Sequence, residues 1–380
     1  MASELDWLTD RSLSDAVEEL EQLLSQASCA FLLGAGCSCC AGLPLMGQLT
    51  QHVLSSTDLS PTTKDILHTV LNQFGESSPA TIEDLMSELV DLLSIGERRS
   101  ACRAECASIQ VGGREYQTEQ IRDALTEIKS AIVRSIDREE IDLSHHRAFV
   151  RAIHNGLRSG KSQQGSPVYY FTLNYDTVLE DSLGHERIPF TDGFLGGATG
   201  WWEPSTFEDE RVSARVVKIH GSIDWRLLEG DTCPRRFRKG TVPERDADRV
   251  VIWPAVTKYR EAQRDPYAQM IALMREVLRP QGPREVVLTI CGYRFADAHI
   301  NLELDRALKE SERRLTIVAF TGNERPEDLL AEWIGDTRIR DQVRVYAKRG
   351  IFHGARSYQT AQDVNWWRFE ILAKLLGGQR

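Results

Sequence analysis

The sequence predicts an α/β protein with an open, largely parallel sheet, helices on both of its faces, and a helical insertion. Three observations carry this. Short apolar runs at 29–33, 168–173, 212–219, 250–253, 285–291, 315–320 and 343–346 have the length of buried strands, and segments of helical periodicity separate them. Between the first two runs lie roughly a hundred mostly helical residues, far more than one crossover helix needs. Polar clusters close four of the runs, at 34–38, 174–176, 220–222 and 292–297, and in such sheets ligands bind outside the carboxyl ends of the strands.

Taken in order, Leu13, Val17, Leu20 and Leu24 recur at helical spacing behind Ser12 and Ser14, either of which serves as a cap. The run Cys29-Ala30-Phe31-Leu32-Leu33 then opens into Gly34-Ala35-Gly36-Cys37-Ser38. Two glycines let the backbone bend and a ligand approach, and a helix begun just beyond aims its amides and positive dipole end at a phosphate. The third glycine of the dinucleotide fingerprint is missing. Helical spacing resumes at 46–54 and 61–74. Thr81 with Asp84 signals a further start ahead of Leu85, Met86, Leu89, Leu92 and Leu93. Ile121, Leu125, Ile128, Ile132 and Ile136 mark a helix over 118–136. Residues 231–249, charged in alternating sign and holding two prolines, are expected to form an exposed loop. Trp366 and Trp367 open a final helix stopped by Gly377-Gly378, with the tryptophans expected in the core or at an oligomer contact. The expected division is an N-terminal helix over 1–27, one ligand-binding α/β unit over 28–346 with its insertion at about 46–160, and a C-terminal helix in 347–380.

Composition narrows the function classes. Lys and Arg number 46 against 56 Asp and Glu, a formal net charge of -10, so the overall basic footprint of a dedicated nucleic-acid binder is absent and no direct sequence-specific nucleic-acid binding is expected. No apolar stretch approaches the roughly 20 residues that cross a bilayer, and the first residues lack the basic and apolar regions of a signal peptide. A cytoplasmic protein without membrane association is the expectation. The eight cysteines stand singly, as Cys37, Cys39 and Cys40, or as Cys102 with Cys106; none of these is a zinc-ribbon spacing, so buried thiols and no metal are expected.

Each strand-end residue has a plain structural explanation when taken singly. Asn174 fits a turn, Asp176 and Asp297 fit helix caps, and His220 fits a satisfied buried histidine. Their common position at strand ends is what points to a site. Four strings, Gly34-Ala35-Gly36-Cys37-Ser38, Thr172-Leu173-Asn174-Tyr175-Asp176, Lys218-Ile219-His220-Gly221-Ser222-Ile223-Asp224-Trp225 and Gly292-Tyr293-Arg294-Phe295-Ala296-Asp297-Ala298-His299-Ile300-Asn301, resemble in order and spacing the sirtuin-like NAD hydrolases of bacterial antiphage defence. Ile82-Glu83-Asp84-Leu85 and Trp253-Pro254 with Lys258 support the resemblance, which covers residues 28 to 310 approximately.

The resemblance implies a Rossmann-like NAD-binding sheet and hydrolysis of NAD to nicotinamide and ADP-ribose, with NAD as substrate and no metal. It implies Asn174, His220 and Asp176 as catalytic residues. As NAD-binding residues, Gly34, Ala35, Gly36 and Ser38 correspond to the pyrophosphate loop, Gly221 and Ser222 to the segment beside the histidine, and Gly292, Tyr293 and Asp297 to the flank of the adenosine half. Leu173 stands where protein deacylases carry glutamine, and their zinc cysteines are absent, which weighs against deacylation. Because the sequence ends soon after the catalytic region, the resemblance favours an abortive-infection effector that forms a homo-oligomer and is gated by a HerA-like ATPase. Two alternatives stay open: a non-catalytic scaffold that binds NAD or ADP-ribose, and an NAD-dependent protein deacylase.

Overall fold

A computed structural model of the chain describes residues 5–26, 28–75, 80–102, 108–138, 140–157, 167–228, 230–237, 248–251, 265–280 and 284–378. Helix α1 (Arg11–Gln26) comes first, and Leu13, Val17, Leu20 and Leu24 are all buried on one of its sides. Its cap differs from the expectation of Ser12 or Ser14: the Asp10 carboxylate accepts from the Ser12 N–H at 2.9 Å, so the chain turns helical at Arg11, two residues earlier than a Ser12 cap would start it. Strand β1 (Ser28–Leu33) follows. Its alternate side chains feed two different cores, Cys29, Phe31 and Leu33 facing α1 and Ala30 and Leu32 facing the other way. A two-residue period with both faces apolar is what a central strand of a covered sheet requires.

The helix after Gly34 is shorter than a phosphate-directed helix would be. α2 (Ala35–Ser38) is a single turn, continued as a 3₁₀ turn over Cys39–Ala41. Helices α3 (Met46–Leu54), α4 (Pro61–Leu71) and α5 (Ile82–Cys102) and the later α6 (Thr118–Ile136) share a third core of their own, drawn from residues between Ala41 and Ile136 together with Val178. Their starts are chemically marked. The Ser60 hydroxyl accepts from the Thr63 N–H at 3.2 Å with Pro61 in the first turn, and Asp84 Oδ2 accepts from both the N–H and the hydroxyl of Thr81 at 2.7 Å. Between α5 and α6 runs a hairpin, β2 (Ser108–Val111) and β3 (Arg114–Gln117), turned by Gly112 and Gly113. Sequence periodicity gave no sign of it, because four-residue strands with polar outer faces are too short to show alternation.

Helix α7 (Ser144–Arg151) and the π-helical turn Ala152–Leu157 return to the α1 side of the sheet, where Phe149, Val150 and Ile153 are buried. The chain then passes through β4 (Val168–Thr172), α8 (Val178–His185), β5 (Phe190–Thr191), β6 (Phe194–Gly196), β7 (Thr199–Trp202), β8 (Ala214–Lys218), β9 (Gly221–Leu227), β10 (Arg235–Phe237) and β11 (Asp248–Val251). After these come α9 (Tyr267–Leu278), β12 (Val286–Cys291), α10 (Ala298–Glu310), β13 (Leu315–Phe320), α11 (Asp328–Gly335), β14 (Val343–Ala347), β15 (Gly350–His353), β16 (Arg356–Gln359) and α12 (Phe369–Leu376).

Nine strands form the main sheet in the order β16-β15-β14-β13-β12-β1-β4-β8-β5, parallel from β14 to β5 and antiparallel at β15 and β16. This is the largely parallel α/β sheet that the apolar runs predict, in the Rossmann-like form that the resemblance implies. A second, antiparallel sheet has the order β11-β9-β10-β7-β6. It corrects two expectations: the run at 250–253 contributes to β11 outside the parallel sheet, and the charged stretch 231–249 contains β10 and the start of β11. Trp253, Pro254, Lys258 and Cys106 lie outside the described residues. At the far end the chain forms the β15–β16 hairpin before α12, and Trp366 is buried, its Nε1 donating to the Ala347 carbonyl at 2.8 Å while its ring meets Trp7 edge-on at 5.3 Å. Among the described residues no helix is long and apolar enough to cross a membrane.

Candidate active site

The main sheet reverses its winding at β1, which has β12 on one side and β4 on the other. The chain leaving β1 and β4 runs to α7 and α8 on one face and the chain leaving β12 and β13 to α10 and α11 on the other, so the connections diverge between β1 and β12 and open a crevice at the carboxyl ends. The strand-end residues that the sequence analysis singled out all follow strands that end here, β1, β4, β8 and β12.

Gly34, Gly36 and Gly292 build its first wall. Gly34 N–H donates to the Cys291 carbonyl at 2.9 Å and Gly36 N–H to the Gly292 carbonyl at 3.0 Å. The loops run so close that a Cβ on Gly34 would stand 2.5 Å from the Gly292 carbonyl oxygen, and one on Gly36 would stand 2.7 Å from the Gly292 Cα. Gly292 itself holds φ at +64°, and a Cβ there would meet the Cys37 nitrogen at 2.4 Å. The glycines are therefore required by contact between two backbones, a reason that the sequence does not display. Ala35 at the tip of this loop is exposed, whereas Cys37 and Ser38 are buried. Burial raises the Cys37 thiol far above its ordinary range and raises Cys40 to about 12, so neither is a ready nucleophile.

Asn174 links the two walls. Its Nδ2 donates to the Gly34 carbonyl at 3.0 Å and to the Ser38 hydroxyl at 2.9 Å. A main-chain carbonyl only accepts, so the amide nitrogen and not the oxygen must face it. Both amide protons are thereby spent, and the atom with which Asn174 can address a ligand is the acceptor Oδ1. Ser38 accepts from Asn174 and keeps its own proton to donate.

The second wall is β4 and β8 with the loops beyond them. Ile219 N–H donates to the Thr172 carbonyl at 3.1 Å and Ile223 N–H to the Tyr175 carbonyl at 2.9 Å, which carries the pairing of the two strands past their ends. His220 is buried between Tyr175, ring centroids 6.5 Å apart, and His299, 5.6 Å apart. Gly221 turns here with φ at +83°, and the buried Ser222 hydroxyl donates to the Tyr175 carbonyl at 3.3 Å. The Asp176 carboxylate accepts from the Val178 N–H at 3.1 Å and so caps α8.

Beneath this wall lies a buried charge cluster. Lys218 Nζ donates to the Asp176 main-chain carbonyl and to Glu180 Oε1 at 2.9 Å. Burial opposes the charge on Lys218, but Glu180, Asp224 and Asp176 around it keep it protonated. Burial pushes Glu180 up to about 7, with Asp224 adding to the shift against the pull of Lys218.

On the β12 side, the Tyr293 hydroxyl donates to Asn301 Oδ1 at 2.9 Å and accepts from the Asp297 N–H at 3.1 Å. Burial raises its pKa, and Glu83 at the start of α5 is near enough to add to that shift. Asp297 occupies the N-cap position of α10, where its backbone carbonyl takes the Asn301 N–H at 3.0 Å and its side chain makes no cap bond. Phe295 holds a left-handed φ of 56° in the same loop, fixed by Asn301 Nδ2 donating to its carbonyl at 2.7 Å and by edge packing against Trp333.

The structure thus brings Gly34, Ala35, Gly36, Ser38, Asn174, Asp176, His220, Gly221, Ser222, Gly292, Tyr293 and Asp297 to the same end of the sheet, just beyond the carboxyl ends of the neighbouring strands β1, β4, β8 and β12. Sequence reasoning passed over His299, Lys218 and Glu180. A lysine closing a doubly buried strand, with an acid one helical turn beyond Asp176, was the available signal for the latter two. Among the described residues no group of three or more His, Cys, Asp or Glu is placed to hold a metal.

The crevice suits a substrate whose reaction needs an acceptor oxygen and an imidazole at a strand end. A family model described as a SIR2-like domain matches residues 168–339, the span that carries Asn174, His220, Tyr293 and His299. The match supports a sirtuin-like family and chemistry on NAD. No curated protein matches the chain.

Proposed function

We propose that this chain, with its SIR2-like domain, hydrolyses NAD to nicotinamide and ADP-ribose. The observation that carries the reading is the orientation of Asn174, whose spent amide protons leave an acceptor oxygen one residue before Tyr175, the ring of which lies 6.5 Å from that of His220. Nicotinamide leaves the ribose as a neutral ring, taking the electron pair of the C1′–N bond, so its departure needs no acid. The ribose left behind is oxocarbenium-like and must meet water. Asn174 Oδ1 accepts a hydrogen bond from that water or from a ribose hydroxyl. His220 takes the proton released as the water oxygen bonds to C1′, the task of an imidazole acting as general base. Nicotinamide, ADP-ribose and one proton balance NAD and water.

Asp176 and Ser222 act in this reading through the loops they hold, Asp176 by capping α8 and Ser222 by its bond to Tyr175. The pyrophosphate meets the loop at Ala35 and Ser38, and the adenosine half lies toward Tyr293 and Asp297. An antiphage role, self-assembly and gating by a HerA-like ATPase belong to the same proposal, and the strand-end motifs that resemble those effectors support them.

Nicotinamide release from NAD, measured for the purified protein alone and with a HerA-like ATPase, tests the reading. Asn174→Ala and His220→Ala should each lower release at least about 100-fold, while far-UV circular dichroism stays unchanged. Tight NAD binding with no release under either condition would replace hydrolysis with a scaffold role.

A further inference from the structure

Two loops carry the candidate reacting groups, Asn174 on the one after β4 and His220 on the one after β8, and their relative position decides whether both reach one ribose. The strand pairing that joins them ends at Ile219, whose N–H meets the Thr172 carbonyl at 3.1 Å. Beyond that point Tyr175 is held by Ile223 and Ser222. The Asp176 carbonyl is held by a charged side chain coming up from within the sheet. That side chain is Lys218, 1% exposed, two residues before His220 on β8 and in register with Thr172. Its Nζ reaches Glu180 on α8 as well, so one ammonium ties β8, the Asn174 loop and α8 together.

Stability alone does not account for the arrangement. A buried ion pair is seldom a net gain over apolar packing, and here one cation sits among more carboxylate than it can satisfy. Glu180 Oε2 and Asp224 Oδ1 are buried with no hydrogen-bond partner among the described residues. A costly group at this position is consistent with geometric work.

We propose that Lys218 is a positioning residue for NAD cleavage, holding the Asn174–Asp176 loop against the His220 strand through the Asp176 carbonyl. This rests on the hydrolase reading, and its test has an arm that does not. Lys218→Met removes the donor but strands two carboxylates without a cation, so Lys218→Met/Glu180→Gln is made beside it to restore the net charge that the cluster carries in the wild type.

Two measurements decide. Hydrogen exchange of the amides at 173–177 should quicken about tenfold or more in both variants relative to the strands flanking them, as local opening loses its restraint. Steady-state kinetics should show kcat down about 100-fold with KM within about threefold, the pattern of misplaced reacting groups. The double variant should recover thermal stability without recovering kcat. Recovery of kcat in the double variant, or unchanged exchange at 173–177, would reduce Lys218 to a counter-charge and overturn the proposal. Should the wild-type protein release no nicotinamide in any condition, the hydrolase reading fails while the exchange measurement still decides the role of Lys218.

Discussion

On one side of β1 the loops after β1 and β12 meet backbone to backbone with no side chain between them, whereas on the other the loops after β4 and β8 are joined by side chains as well as by backbone bonds. The first wall is made of Gly34, Gly36 and Gly292, whose missing Cβ atoms let peptide groups touch. The second is tied by Lys218 and Ser222, whose side chains reach from the β8 side to main-chain carbonyls of the loop after β4. A glycine contact has no slack, because any added atom must displace backbone. A side-chain tie can be lengthened, shared or lost while its strands stay paired. The glycine wall is thus expected to fail as folding, and the polar wall as function.

The largest expected effect is on the glycine wall. Gly292→Ala adds a Cβ 2.4 Å from the Cys37 nitrogen at a residue with φ of +64°. Left-handed strain of about 1–2 kcal/mol and overpacking of about 1–3 kcal/mol should together lower unfolding free energy by roughly 2–5 kcal/mol in chemical denaturation. Gly184, in α8 with open space for 4 Å around the position a Cβ would take, is the matched control. There alanine should leave stability unchanged or raise it by about 0.5–1 kcal/mol. Equal losses at both positions would erase the distinction between the walls.

A smaller effect, dependent on pH, is expected in the polar wall. Glu180 is pushed up to about 7 from its ordinary value of 4.5, mainly by burial. In that interval the unfolded chain has released the proton and the folded chain retains it. Stability contributed by the neutral carboxyl is therefore complete below pH 4.5, falls as pH rises from there to about 7, and is level above. Glu180→Gln should remove this slope, worth on the order of 3 kcal/mol across the window, as read from urea midpoints between about pH 5 and 8. A slope that survives the substitution would place the titration on another group.

The contrast also explains what was legible in the sequence. Strands β1, β4, β12 and β13 were read because they are apolar on both faces and so appear as unbroken runs. The second sheet was missed because strands such as β10, with its arginines Arg235 and Arg236, are short and polar. Asn174 and His220 stood out as polar residues closing apolar runs. The glycines of the first wall were visible as letters, but their cause was read as room for phosphate, since nothing local records that residues 34 and 292 meet. His299 and Lys218 were visible only as members of motifs; their roles depend on distances across the sheet that no spacing along the chain encodes.

Ser222→Ala should have the smallest effect, and it tests how redundant the polar wall is. Its hydroxyl is buried and donates to the Tyr175 carbonyl at 3.3 Å, a long bond, while the Ile223 N–H donates to the same oxygen at 2.9 Å. Removing the hydroxyl leaves that carbonyl paired and opens a space of only one oxygen atom. The cost should be below about 1 kcal/mol, because the penalty that makes lost hydrogen bonds expensive is that of an orphaned partner. A loss beyond about 2 kcal/mol by thermal denaturation would mean that the Tyr175 carbonyl depends on Ser222 after all. The polar wall would then be as intolerant as the glycine wall. A loss within the expected range makes Lys218 the tie on which the loop depends, since its carbonyl partner at Asp176 is the one that the charged side chain holds.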